Sequence, residues 1–133
     1  MRQPTQIFDA TEINKALGMK LIESSPGNAT IEMDADDKFT QEKGVIHGGI
    51  ISTLADTAAV YSFLPTLPEN QLCGSIEFKV NFLAPATADK GKLTAKGHVI
   101  KKGTRIIVCE SSVYQSDKQI AFGTFSYLVW ERS

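Results

Sequence analysis

The chain has 133 residues, 42% of them hydrophobic, which suffices for one core and leaves no room for a cofactor-binding domain beside a catalytic one. Fourteen Lys and Arg against fifteen Asp and Glu leave a net charge of −1, which argues against the basic surface of a nucleic-acid binder. Two cysteines, Cys73 and Cys109, stand apart without a Cys-x-x-Cys pair, and His47 and His98 are the only histidines, so no zinc-ligand spacing is present. The first residues, with Arg2 and Pro4, lack the apolar stretch of a secretory signal, and no run of about 18 uncharged apolar residues follows. The expectation is a reduced cytoplasmic protein, a single domain over residues 1–133, with no metal, membrane or nucleic-acid partner.

In chain order, Asp9-Ala10-Thr11-Glu12 has the form of a capping box, which predicts a short helix over about 9–17. Ile13, Ala16 and Leu17 would supply its apolar stripe and Gly18 a left-handed stop. Alternation at Ile22 and then at Ala29, Ile31 and Met33, around the turn Ser24-Ser25-Pro26-Gly27-Asn28, predicts a hairpin. The charged stretch from Asp34 to Lys43 reads as a surface loop. Gly48 to Phe63 is apolar around most of a helical circumference, so that helix must be buried. Pro65 and Pro68 stop it.

Four strands rich in Val, Ile, Phe and Thr follow: Ser75 to Phe82, Lys92 to Ile100, Arg105 to Tyr114 and Gln119 to Trp130. The turns between them are short enough to predict that consecutive strands lie antiparallel side by side. An antiparallel sheet with one apolar helix hides both best when the sheet curls around the helix, an α+β architecture.

Within that frame, Gly48 and Gly49 open the buried helix. Leading backbone N–H groups there lack intrahelical partners, the helix dipole is positive, and the missing side chains admit a ligand oxygen. Asp56 is a carboxylate among Leu54, Ala55, Ala58 and Ala59, and an ionised group in such surroundings costs several kcal/mol unless paired or partly solvated. Each feature also has a structural reading, as turn chemistry or as a hydrogen-bonded buried acid. Eight residues of helix separate Gly48 from Asp56, about 12 Å along the axis, too far for both to act on one carbonyl. If both are catalytic, two subunits must share each site across a two-fold axis.

His47-Gly48-Gly49 followed nine positions after the histidine by an acid, then Ser75-Ile76-Glu77-Phe78 and Asn81-Phe82-Leu83-Ala84-Pro85-Ala86, resembles the hotdog-fold acyl-CoA thioesterases of the PaaI-like type, over roughly Leu17 to Val129. The resemblance implies a sheet wrapped around one long central helix. It further implies that the Gly48 N–H polarises a thioester carbonyl, that Asp56 of the neighbouring subunit is nucleophile or general base, and that Ser75 helps hold the attacking water. His47 would shape the turn and assist the carbonyl site. Gln41 stands where many relatives carry Asn or Asp, a longer amide still able to orient water or substrate.

Lys101, Lys102 and Arg105 are the candidates for coenzyme A phosphates, and Gly49, Tyr61, Phe63 and Phe82 for contacts to the acyl group. The substrate expected is an acyl-CoA with an aromatic or medium-chain acyl group. Coenzyme A enters as part of the substrate and no cofactor is expected. The resemblance also implies a homodimer at least, and a homotetramer made of two dimers. A non-catalytic acyl-CoA-binding protein on the same fold is the alternative, and a dehydratase would require a proline-glycine pattern absent around His47.

Overall fold

The computed structural model describes residues 2–133. Pro4, whose missing N–H costs nothing in a first helical turn, opens α1 (Pro4–Ala10), and α2 (Glu12–Ala16) follows after an extended Thr11. This corrects the expected single helix over 9–17. Asp9 lies inside α1 rather than at a helix start, and the cap of α2, Thr11, makes no side-chain capping bond. The Thr11 hydroxyl instead donates back to the Ile7 carbonyl at 2.8 Å, and the break swings Phe8 into the core edge-on against Tyr61, ring centroids 5.1 Å apart. The predicted apolar stripe fails at Ile13, which is 52% exposed, whereas Asn14 is buried and donates to the Phe8 carbonyl. Gly18 adopts the expected left-handed turn, with φ of 67°.

The hairpin β1 (Lys20–Ser25) and β2 (Asn28–Met33) leads through a loop to α3 (Gly48–Tyr61), then β3 (Gln71–Phe82), β4 (Leu93–Lys102), β5 (Ile106–Gln115) and β6 (Lys118–Glu131). All six strands form one antiparallel sheet in the order β1-β2-β4-β5-β6-β3. The expectation that consecutive strands are neighbours therefore fails between β3 and β4. β3 pairs with β6 at the far edge, and residues 83–92 cross the end of the β5–β6 hairpin to reach β2. Ten residues are too many for a tight hairpin turn, and this connection has partners of its own. Buried Gln115 accepts from Thr87 N–H at 3.0 Å and donates to the Thr87 and Gly91 carbonyls at 2.8 and 2.9 Å.

The sheet curls around α3. Ala29, Gly97, Ser111 and Gly123 stand opposite one another on β2, β4, β5 and β6, and this row of small side chains lets the helix approach closely. At Gly97 an added Cβ would lie 2.4 Å from the Ala58 carbonyl oxygen. Leu54, Ala55, Ala58 and Ala59 are fully buried against this floor. α3 lies across β2, β4, β5 and β6 and leaves β3 largely uncovered, so Phe78 and Phe82, on the helix-facing side of that strand, are 48% and 55% exposed. This is the hotdog arrangement that the resemblance implies.

Candidate active site

The loop before α3 is clamped from both sides. His47 N–H donates to the Phe39 carbonyl at 2.9 Å, Ile46 N–H to Ala86 at 2.8 Å, and the Gly44 carbonyl accepts from Ala88 N–H at 3.0 Å. The same connection that crosses the sheet thus holds the glycine turn in place, with Lys43 and Gly44 both left-handed at φ of 60° and 71°.

His47 is the N-cap of α3, in extended conformation at φ −60° and ψ 135°. Its Nδ1 accepts from the Gly49 N–H at 2.8 Å, which requires Nδ1 to be unprotonated. Ile50 and Ile51 N–H both turn back to the His47 carbonyl. The Gly48 N–H alone of these leading donors has no partner among the described residues. It opens on a cleft of about 360 Å³ whose walls include Gln41, Ile51, Phe82, Pro85 and Ile120. The Phe82 ring lies over Gly48, so that a Cβ there would come within 3.2 Å of it.

Asp56 is not a wall of that cleft. It lies two helical turns further along α3, half-buried, where the Tyr127 hydroxyl donates to its Oδ1 at 2.5 Å and lies 3.2 Å from its backbone carbonyl. Burial raises the Asp56 pKa above its ordinary value, and the hydrogen bond from Tyr127 opposes that rise. Burial likewise drives the Tyr127 phenol well above its usual range, with the adjacent carboxylate adding to the effect. The Cys109 thiol, beneath the helix beside the Ser62 hydroxyl at 3.6 Å, is pushed up to about 11, mainly by burial. Among the described residues no cation forms an ion pair with Asp56, and no group of three or more His, Cys, Asp or Glu is arranged to hold a metal.

Ser75 stands directly opposite Tyr127 in the β3–β6 register, and opposed residues point to the same face, here the helix side of the sheet. The fold therefore gathers Asp56, Tyr127 and Ser75 in one row and Gly48, Gln41 and Phe82 in another. Tyr61 and Phe63 go to neither. They are buried, Tyr61 against Phe8 and Phe63 against the Tyr127 ring at 5.0 Å between centroids. Gly49 sits at the helix start, its N–H occupied by His47.

Lys101, Lys102 and Arg105 flank the β4–β5 turn, where Lys102 Nζ donates to Thr66 Oγ1 at 3.1 Å and Lys101 and Arg105 border a hollow of about 410 Å³. A second cationic hollow, about 640 Å³, lies over Lys90, Lys92, Lys96 and Tyr114. Sequence reasoning missed Tyr127. Its only signal is a hydroxyl-bearing aromatic at an inward position between Phe125 and Val129, and nothing in that pattern reveals the carboxylate it meets.

The sequence signature of the Thioesterase superfamily matches residues 43–121, from the glycine turn through α3 and into β6. A Saccharolobus solfataricus protein provisionally assigned as an esterase is 34% identical over 113 residues, 84% of this chain and 77% of its own. Acyl-coenzyme A thioesterase 13 of Homo sapiens is 28% identical over 96 residues, 71% of this chain and 66% of its own. The PaaI protein from the phenylacetic acid degradation operon of E. coli shares the fold, with a TM-score of 0.85 at 23% identity over 96% of this chain and 91% of that one. No described helix is long and apolar enough to cross a membrane. With the helix-wrapping sheet, its glycine-led helix and that signature spanning more than half its length, the chain belongs to the thioesterase superfamily, the hydrolases of thioester bonds.

Proposed function

We propose that the protein hydrolyses an acyl-CoA, with an aromatic or medium-chain acyl group, at sites shared between two subunits. Each site joins the Gly48 amide of one subunit to Asp56 of its mate. The observation that carries this reading is the Gly48 N–H, left without a partner at the positive end of a buried helix while His47 occupies its neighbour.

The thioester oxygen accepts from the Gly48 N–H, and charge developing on it is met by a donor already oriented. Gln41, in the same cleft, orients the carbonyl or water. Asp56 acts on the carbonyl carbon from the other subunit, either removing a proton from water that Ser75 helps hold or attacking directly. In the first case the hydroxide adds to the carbon, the carbon–sulfur bond breaks, and the proton passes from Asp56 to the departing coenzyme A thiolate. In the second the thiolate leaves an acyl–Asp56 anhydride, which water splits into the free acid and the carboxylate, its proton going to the thiolate. Lys101, Lys102 and Arg105 meet the coenzyme A phosphates, and Phe82 borders the acyl group. The carboxylate must be ionised, so the rate should fall as pH drops through a value raised above that of an ordinary aspartate.

Pairing of subunits is supported by β3, a long edge strand with a free row of backbone donors and acceptors, on which Ile76, Phe78 and Phe82 are exposed. The further assembly of two dimers into a tetramer belongs to the same proposal.

The test removes one backbone donor. Gly48→Pro deletes the N–H at the first helical position, where proline is well tolerated, and His47 already has the extended conformation that a following proline demands. Thiol release from acyl-CoA should fall by about 10²- to 10³-fold with little change in Tm. Gly48→Ala keeps the N–H and needs only that the exposed Phe82 ring shift, so it should retain most activity. Equal turnover in Gly48→Pro and wild type would defeat the reading.

A further inference from the structure

The geometry points to Tyr127 as the positioning residue for Asp56: its hydroxyl holds Oδ1 and leaves Oδ2 as the oxygen presented to the reacting water or carbonyl. This rests on the proposed role of Asp56 and goes beyond it. The inference stands on three observations. The hydroxyl lies 2.5 Å from Oδ1, a short charge-assisted bond, and 3.2 Å from the Asp56 carbonyl, so it bridges side chain and backbone of one residue and fixes the rotamer between them. Oδ2 accepts from no group among the described residues. The Tyr127 ring is itself immobile, 2% exposed and packed on Phe63.

A carboxylate on a flexible stem loses reactive geometry through rotation about its last two bonds, and alignment of the reacting atoms accounts for a large share of catalytic rate. Tyr127 removes that freedom from the floor of the sheet, and its register partner Ser75 lies on the adjacent strand of the same face. The charged and titratable groups that feel Asp56 are Tyr127 on β6, Cys73 on β3 and Cys109 on β5; no group on β2 or β4 shifts it. Both thiols have raised pKa values, chiefly through burial, so Tyr127 is the group that favours the ionised carboxylate.

Tyr127→Phe keeps the buried ring and deletes the bond, so the fold should persist, as Tm will register. With octanoyl-CoA or phenylacetyl-CoA at pH 7, kcat should fall about tenfold with KM nearly unchanged. The acid limb of the pH–rate profile should move to higher pH, because a contact that favours the charged carboxylate is gone. A carboxyl-carbon NMR titration, with the Asp56 signal assigned by its loss in Asp56→Asn, should show the same upward move without reliance on turnover. Site-specific replacement of Tyr127 by a fluorinated, more acidic tyrosine should move both readouts downward. A merely structural tyrosine would lower Tm and leave both midpoints where they were, and that result overturns the inference. If Asp56→Asn retains full activity, the catalytic role of Asp56 falls and that of Tyr127 with it. If Asp56→Asn is dead while Tyr127→Phe keeps wild-type kcat and midpoints, only the role of Tyr127 falls.

Discussion

Asp56 shows how a residue that works against the fold can be read from its surroundings. It stands among Leu54, Ala55, Ala58 and Ala59, the structure half-buries it, and burial raises its pKa from the ordinary 3.8. An acid whose folded pKa is raised destabilises the native state once ionised. Its unfavourable contribution is absent below 3.8, grows as pH rises from 3.8 to the raised folded value, and is complete above that. Asp56→Asn carries no such charge. It should therefore melt above wild type at pH 7, with the difference shrinking as the pH falls from the raised folded value towards 3.8 and vanishing below it, while thiol release is lost. A Tm difference that stays constant with pH would show that the charge of Asp56 costs the fold nothing. The oddity of the acid was legible because Leu54, Ala55, Ala58 and Ala59 surround it on a helix that is apolar around most of its circumference. Tyr127 was not, because its meeting with Asp56 depends on strand register and helix placement.

At the scale of elements, the buried helix was plain from its composition, and its start and end fall within two residues of expectation, at Gly48 and Tyr61. What seats it is less visible. Gly97 falls within the predicted strand Lys92 to Ile100 with nothing in sequence to mark it, yet in the sheet it lies beneath the backbone of Ala58 and Ala59, with 2.4 and 2.7 Å left to their nearest atoms from an added Cβ. Backbone cannot yield as a flexible side chain can. Gly97→Ala should therefore destabilise by about 3 kcal/mol, seen as a lower urea midpoint at unchanged slope. The strands themselves were well marked, the first hairpin by alternation and the rest by their Val, Ile, Phe and Thr content, though β3 begins four residues before Ser75. The amino-terminal segment was misread because a capping-box pattern at Asp9 competed with Pro4, and the burial of Phe8 and Asn14 decided between them.

Across the whole molecule, the distance between Gly48 and Asp56 makes assembly part of the proposed chemistry. α3 runs unbroken through both residues, which holds them about 12 Å apart in any one chain. Gly48→Pro and Asp56→Asn homodimers should each be nearly inactive. Co-expressed in equal amounts, half the dimers are mixed, and each mixed dimer rebuilds one of its two sites, so about a quarter of wild-type thiol release should return. Two inactive variants that stay inactive after verified subunit mixing would show that the site does not cross the interface.

The amino-acid order by itself determined the fold class, the buried helix, most strands and the glycine turn, because burial and hydrogen bonding are local patterns with fixed periods. It also exposed Asp56 as a residue out of place. The tertiary structure decided what those patterns leave open. It sent β3 to the far edge of the sheet, since pairing energy goes to whichever strand the connection can reach, and Gln115 anchors that connection. It showed which leading amide remains free, since His47 satisfies one donor and spares the other. It brought Tyr127 to Asp56, a contact 71 residues apart in sequence that exists only because helix and sheet pack face to face.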